Sequence, residues 1–350
     1  MTITIMRLLS PLLALLACQA CSTLTWAEYP LKDSGHVANS ASNIYWIDTH
    51  RVLFQGHFWN AEGSLNAPDG RPKNSETLYE WDIAVGTLKE HGDIGGGLCY
   101  ANGYVRYWRR IDGGSQGSEA EWIAGELGKQ VKVGSQYVSV DRETCEPRSQ
   151  IVLPDWTHGK AVVRLKPEFG FLVIGEEKDD RNTPVTYHPR GERDGILMPF
   201  KRREFHTVTY FGFKAAYFLR ADYFVVVPGH RLGGYNKSPW PTGTPIPAWW
   251  LHGDGHFDAM KLPTEARFAT ASRTFPTMAG IHYISPDYPS NDGLFKVVNE
   301  IKVRRVVKGF IEGYAVSPDG CKVAIDHNLK YSGRHGQGTL KVVDVCVRGT

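Results

Sequence analysis

Gly313-Tyr314-Ala315-Val316-Ser317-Pro318-Asp319-Gly320-Cys321-Lys322-Val323-Ala324-Ile325 is the stretch that reads most plainly as structure, and Leu340-Lys341-Val342-Val343-Asp344-Val345 completes it. Two apolar, β-branched runs flank Ser-Pro-Asp-Gly. Proline presets φ in such a turn and glycine supplies a positive φ, so the segment predicts strand, tight turn, strand. Gly333, Gly336 and Gly338 allow the chain to reverse again before the third strand. A hairpin centred near Gly333-Arg334 sets Cys321 opposite Cys346. A disulfide there would staple the last hairpin by about 2–4 kcal/mol; the alternative is two buried thiols.

The same unit recurs upstream. Asn43–Ile47 and Arg51–Gly56 flank a turn at Asp48-Thr49-His50, with Leu78–Ile83 as third strand and Thr87–Glu90 as fourth. A second copy has Gly97–Tyr100, Tyr104–Trp108 and Tyr137–Asp141. A third has Ala161–Leu165 and Phe171–Ile174. A fourth has Ala215–Leu219 and Tyr223–Val227. A fifth lies around Gly280–Asp287 and Leu294–Asn299. Short apolar strands, 37 glycines and an aromatic share of 12% point to an all-β protein, and amphipathic stretches with helical spacing are almost absent.

The final unit, a strand, a Ser-Pro-Asp-Gly turn, a strand and a strand ending in Val-Asp, resembles the repeat of WD-repeat and TolB-like β-propellers. The resemblance is strong over residues 312–346, moderate near 43–90 and weak between. It implies a closed ring of four-stranded blades. The copies predict six blades, with seven as an alternative. The last copy lacks a fourth strand, and residues near Tyr29–Val37 are placed to supply it from the N-terminus, which removes the open sheet edges. Two stacked β-sandwiches are the competing architecture.

The N-terminus carries Arg7 and then the short apolar run Leu8–Ala17, the layout of a secretory signal peptide and too short for a permanent membrane span. Leu15-Leu16-Ala17-Cys18 resembles a bacterial lipobox, which implies acylation of Cys18. Gln19 follows rather than Asp, which in that class implies the outer membrane. Ordinary cleavage after Ala27 is the alternative and would leave a soluble periplasmic or secreted protein. The expected organisation is a signal peptide over 1–17, a lipidated N-terminus and tether over 18–42, and the propeller over 43–350. Export fits cysteine pairing. Besides Cys321 with Cys346, Cys99 with Cys145 is a second, less marked pair, and Cys21 is left over.

Formal charge is +3, and loss of residues 1–17 removes only Arg7, leaving +2. That balance excludes nucleic acid as a main partner. Lys201-Arg202-Arg203 and Lys302-Val303-Arg304-Arg305 are expected to be solvated strand faces.

Three stretches offer chemistry. Gly113-Gly114-Ser115-Gln116-Gly117 matches a nucleophile elbow, with a short helix possible over Glu119–Leu127. It lacks the alternating strands and helices that such a site needs, so it reads as an insertion loop. His252, Asp254, His256 and Asp258 would share one face of an extended strand and offer ligands to Zn²⁺ or a similar ion. The intervening glycines suggest instead a turn that scatters them, so no metal or other cofactor is expected. Trp240, Trp249 and Trp250 lie near Pro239, Pro241, Pro245 and Pro247, as a binding platform or as packing between blades.

The expected function is a non-enzymatic cell-envelope lipoprotein, a propeller that binds a protein, peptide or glycan. The alternatives are an envelope hydrolase or lyase with its site in the propeller channel, and an immunity-type lipoprotein that inhibits a toxin.

Overall fold

The computed structural model describes residues 29–38, 44–58, 76–110, 120–136, 138–140, 144–150, 152–164, 170–176, 184–201, 214–218, 222–226, 246–252, 254–263, 274–287, 291–328 and 338–347. Twenty-four strands account for most of them, and the helical content among the described residues is two short 3-10 turns at Arg148–Gln150 and Asp155–Thr157. The strands form antiparallel sheets, and every strand but the first pairs with a neighbour in sequence. The first three are β1 (Leu31–Ala38), β2 (Ile44–Trp46) and β3 (Arg51–Phe58), followed by β4 (Glu76–Asp82) and β5 (Thr87–Ile94). The next sheet holds β6 (Gly96–Ala101), β7 (Tyr104–Arg110), β8 (Ala120–Glu126) and β9 (Val131–Gly134). Then come β10 (Lys160–Arg164), β11 (Gly170–Glu176), β12 (Pro184–Pro189) and β13 (Ile196–Lys201). A further sheet holds β14 (Lys214–Phe218), β15 (Asp222–Val226), β16 (Ile246–Leu251) and β17 (Phe257–Leu262). The sheet after it holds β18 (Thr274–Thr277), β19 (Gly280–Asp287), β20 (Asn291–Asn299) and β21 (Lys302–Lys308). Last are β22 (Phe310–Val316), β23 (Lys322–Asn328) and β24 (Thr339–Asp344).

The final three strands do not make a sheet alone. They join the first five in one eight-stranded sheet of order β22-β23-β24-β1-β3-β4-β5, with β2 also on β3. β1 pairs with β24 from Leu31↔Val343 to Val37↔Thr339, and its other edge pairs with β3 from His36↔Phe58 to Ala38↔Gly56. The N-terminal strand therefore closes the fold, as expected from the missing fourth strand. It also places β1 inside the stretch expected to be tether. Gly56 permits the junction: a Cβ there would run into the Val37 carbonyl oxygen.

The core lies between sheets rather than inside one. Leu53, Leu78 and Ile94 pack against Leu98, Val105, Tyr107 and Ile123 of the next sheet. Ala248 and Leu262 meet Ile281, Tyr283 and Phe295. Phe275, Ile284 and Leu294 meet Ile311, Val323, Ile325 and Val343. Ala324, Leu340 and Val342 return to Ile44, Val52, Phe54 and Trp81 at the start. Sheets that cover one another face to face in sequence, and then meet end to beginning, form a β-propeller. First strands touch first strands, β14 with β18 and β2 with β22, so these line the axis and the last strands lie outside.

Local readings differ in places. Glu119–Leu127, expected as a possible helix, contains strand β8: Trp122, Ile123 and Ala124 are buried, and cross-strand pairing with β7 overrides helical propensity. Of the strand expected over 137–141, the described residues 138–140 supply an isolated bridge, Val140 with Pro147, and β8 takes the next place in the sheet. Lys302–Arg305 is not simply a solvated face. The Arg304 guanidinium sits 5.5 Å from the Tyr29 ring centroid and that of Arg305 5.2 Å from Phe295. Residues 113–117 and 202–203 lie outside the described residues.

Candidate functional site: the β16–β17 hairpin

His252 and His256 flank the turn between β16 and β17. The His252 N–H donates to the His256 carbonyl at 2.9 Å, and the Gly255 N–H donates to the His252 carbonyl at 2.9 Å. This is a tight antiparallel hairpin, whose third loop position favours glycine because it requires a positive φ. Gly255 has φ +93°, and a Cβ on it would collide with Cδ1 of Ile196 in β13. The hairpin tip thus rests against the neighbouring sheet.

An extended strand would align these four side chains on one face, and a turn is expected to scatter them. The chain does turn, but the turn gathers them. In a hairpin the residues flanking the loop are cross-strand neighbours, close enough for their side chains to touch. The two imidazoles stack with centroids 4.1 Å apart and planes 13° from parallel. Asp258, which pairs across with Trp250, lies on the same face as His252, and its Oδ2 is 3.0 Å from His252 Nε2. Asp254 Oδ1 is 2.5 Å from His256 Nδ1 and also accepts the His256 backbone N–H at 3.1 Å. That backbone donor first, and the imidazole after it, hold the Asp254 carboxyl below the usual carboxylate range. A carboxylate only accepts, so Nδ1 donates and the lone pair of a neutral His256 ring is on Nε2. Since β17 is the last strand of its sheet, the group sits at the outer part of the ring and not in the axial channel.

Trp249 and Trp250 occupy the same hairpin, but consecutive strand residues point to opposite faces. Trp250 packs on the cluster of Ala248, Leu262, Ile281, Tyr283 and Phe295, which is the packing alternative, whereas Trp249 faces the other way. The two do not form one flat platform, and each is half-buried. Trp240 and Cys18 lie outside the described residues.

Both expected cystine pairs are joined. Cys321 and Cys346 have Cα atoms 5.0 Å apart just past the Lys322↔Asp344 pair, where Cys321 faces Val345 and the bridge reaches the next residue, and Cys99 and Cys145 are 5.6 Å apart. The Ser-Pro-Asp-Gly turn beside the first pair closes by Gly320 N–H to the Ser317 carbonyl at 2.8 Å. Ser317 Oγ accepts from the Lys322 N–H at 2.8 Å, and Asp319 accepts from the Cys321 N–H at 3.1 Å.

Sequence reasoning missed a buried polar row next to this seam. Asp326 and His327 on β23 are 2% and 3% exposed, in a strand otherwise read as plain core. Burial, with the Glu312 charge adding to it, raises the Asp326 carboxyl to about 8, so it is neutral at pH 7. Burial lowers His282, on β19, to about 4. The only signal was two polar residues closing an apolar run. A cleft of about 490 Å³ opens at the same closure, lined by Lys32, Asp33, Ser34 and His36 of β1 and by Trp81 and the β4–β5 turn.

No family model matches the chain, and no curated protein matches it. Solved structures do. An oligogalacturonate lyase in complex with manganese aligns at TM-score 0.36 and 9% identity, over 91% of this chain and 94% of that one. TolB from Acinetobacter baumannii aligns at TM-score 0.34 and 12% identity, over 86% and 78%. The β-propeller domain of Myceliophteria thermophila Cps50 (Swd1) aligns at TM-score 0.36 and 7% identity, over 90% and 99%.

Proposed function

We propose that this chain is a non-enzymatic binding protein of the cell envelope, an exported propeller anchored through acylated Cys18 that holds a protein, peptide or glycan partner. The observation that carries export is the pair of disulfides, because such bonds persist in oxidising compartments and are rare in the cytosol. In this reading the eight-stranded sheet is two blades sharing the β1–β3 junction, which makes six blades. Partner contact falls on the β16 face that carries Trp249 and on the polar cleft beside β1, with Trp240 a further candidate from the sequence alone. That cleft begins only a short tether from Cys18, so a bound partner is held near the membrane.

The test is fractionation and capture in one preparation. Wild-type protein is expected in the outer-membrane fraction, and Cys18→Ser is expected to release it to the soluble periplasm. Cross-linking of the mature domain in envelope extract is expected to yield one partner in stoichiometric amount. A wild-type protein retained in the cytoplasm with reduced cysteines would overturn export. Turnover of an envelope polymer by the purified domain would replace binding with the hydrolase or lyase alternative. Nanomolar capture of a toxin would select the immunity alternative.

A further inference from the structure

We infer that His252, His256 and Asp258 form a site for one borderline-soft divalent cation of the Zn²⁺ class, with Asp254 positioning His256. The inference stands whether the chain binds a partner or turns over a substrate.

One ligand atom from each of His252, His256 and Asp258 lies within 4.8 Å of the other two. Tetrahedral ligands about 2.1 Å from a zinc ion stand about 3.4 Å apart, so binding draws the donors closer and turns the stacked rings towards the ion. One edge is already in place. His252 Nε2 and Asp258 Oδ2 are 3.0 Å apart, and adjacent ligands on a zinc ion are separated by about 3.0–3.4 Å. On binding, the cation takes the place of the proton between these two atoms. In a neutral His252 that proton moves to Nδ1, and in a charged one it leaves to solvent.

His256 is prepared by its neighbour. Asp254 holds Nδ1–H at 2.5 Å, which directs the lone pair of Nε2 outward and raises its basicity. A carboxylate behind a ligating imidazole is the usual support in zinc sites. The rings stack nearly parallel because the hairpin loop places them across from each other, so the backbone rather than the ion brings the donors together. Two imidazoles with one carboxylate favour zinc, nickel or copper over calcium and magnesium, which take oxygen ligands. Three protein donors leave a coordination position open to water or to a partner's side chain. The site is exposed, His256 and Asp258 both facing solvent, so that position is accessible.

Zn²⁺ alone is the probe. The mature protein is stripped with chelator and titrated with Zn²⁺ by calorimetry, and with Co²⁺ by visible absorption. One tight equivalent per chain is expected, with a Co²⁺ spectrum showing nitrogen ligation. His252→Ala with His256→Ala should weaken binding by at least a hundredfold, and Asp258→Asn by at least tenfold. Asp254→Asn should weaken it by about 10–100-fold while keeping one equivalent, the size of effect expected for outer-shell partners. Thermal unfolding of each stripped variant checks that folding is intact. Equal affinity in wild type and the double-alanine variant would overturn the inference, since it would place the zinc on other histidines. So would the absence of any equivalent at micromolar Zn²⁺.

Discussion

The closing seam around β23, β24 and β1 and the tip of the β16–β17 hairpin are both hairpin structures rich in glycine and acid, yet they are built for opposite ends. The seam buries its polar groups. Asp326, His327 and Ser317 are almost wholly enclosed, and the disulfide and the β1 pairings cross it. The tip exposes its groups, and what it orders is a set of side chains rather than the ring. A propeller is stabilised by covering sheet faces and removing edges, so change at the seam is paid by the whole ring, whereas change at the tip is local.

Substitutions test that contrast, and the largest effect is expected at the junction. Gly56→Leu drives a side chain into the Val37 carbonyl and separates β1 from β3, with a loss of about 3 kcal/mol or more and a lower denaturation midpoint. If stability is unchanged, closure by β1 is not what holds the seam. Next come the cystines. Removing Cys321 and Cys346 should cost about 2–4 kcal/mol in denaturant unfolding. Removing Cys99 and Cys145, which span 46 residues rather than 25, should cost about 0.5 kcal/mol more from chain entropy.

Asp326 gives the seam a pH dependence. Its folded value, about 8, lies above the unfolded one, so the folded state retains its proton longer. The stabilising contribution is complete below the unfolded value and is lost as pH rises through the folded value. His282 acts in the opposite sense: lowered to about 4, it removes stability as pH falls below its unfolded value near 6.5 and is silent above that. Between about pH 7 and pH 8, above both the His282 window and the Glu76 carboxyl that burial raises to about 7, stability should therefore fall by up to about 1.4 kcal/mol per pH unit. Asp326→Asn should flatten that slope, and a slope unchanged in the variant would assign it to another group.

The tip should show the smaller effects. Gly255→Ala combines a left-handed backbone with a clash against Ile196 and should cost about 1–2 kcal/mol, read as a shift in melting temperature. His256→Ala, on an exposed side chain, should change stability by less than about 0.5 kcal/mol while weakening zinc binding by at least tenfold. A large stability loss there would mean that the histidine pair is structural.

Legibility followed locality. The Ser-Pro-Asp-Gly hairpin was readable because proline, glycine and two β-branched runs specify it within a few residues, and the next hairpin brings Cys321 within bonding reach of Cys346, one residue off its paired neighbour Val345. The strand β8 was missed because Ala120–Glu126 has helix-tolerant residues, and only its partners on β7 make it extended. β12 and β13 were missed for a similar reason: Pro184–Pro189 and Ile196–Lys201 carry prolines that weaken the strand signal, and pairing decides. At the tip the glycines predict a turn that scatters four polar side chains along the chain; the turn is there, but a hairpin sets the residues that flank it across from each other.

By itself the sequence determined the class of fold, the turn chemistry of the last hairpin, the strand able to close the ring and the cysteines able to join, since each depends on local φ, on alternation or on spacing along the chain. Only the tertiary structure decided that Trp249 and Trp250 part to opposite faces, that Asp326 is buried without charge, and that two histidines and two aspartates meet at one turn. Those outcomes depend on which strand lies beside which. Neighbours in space are set by the packing of whole sheets, and no short window of residues contains that information.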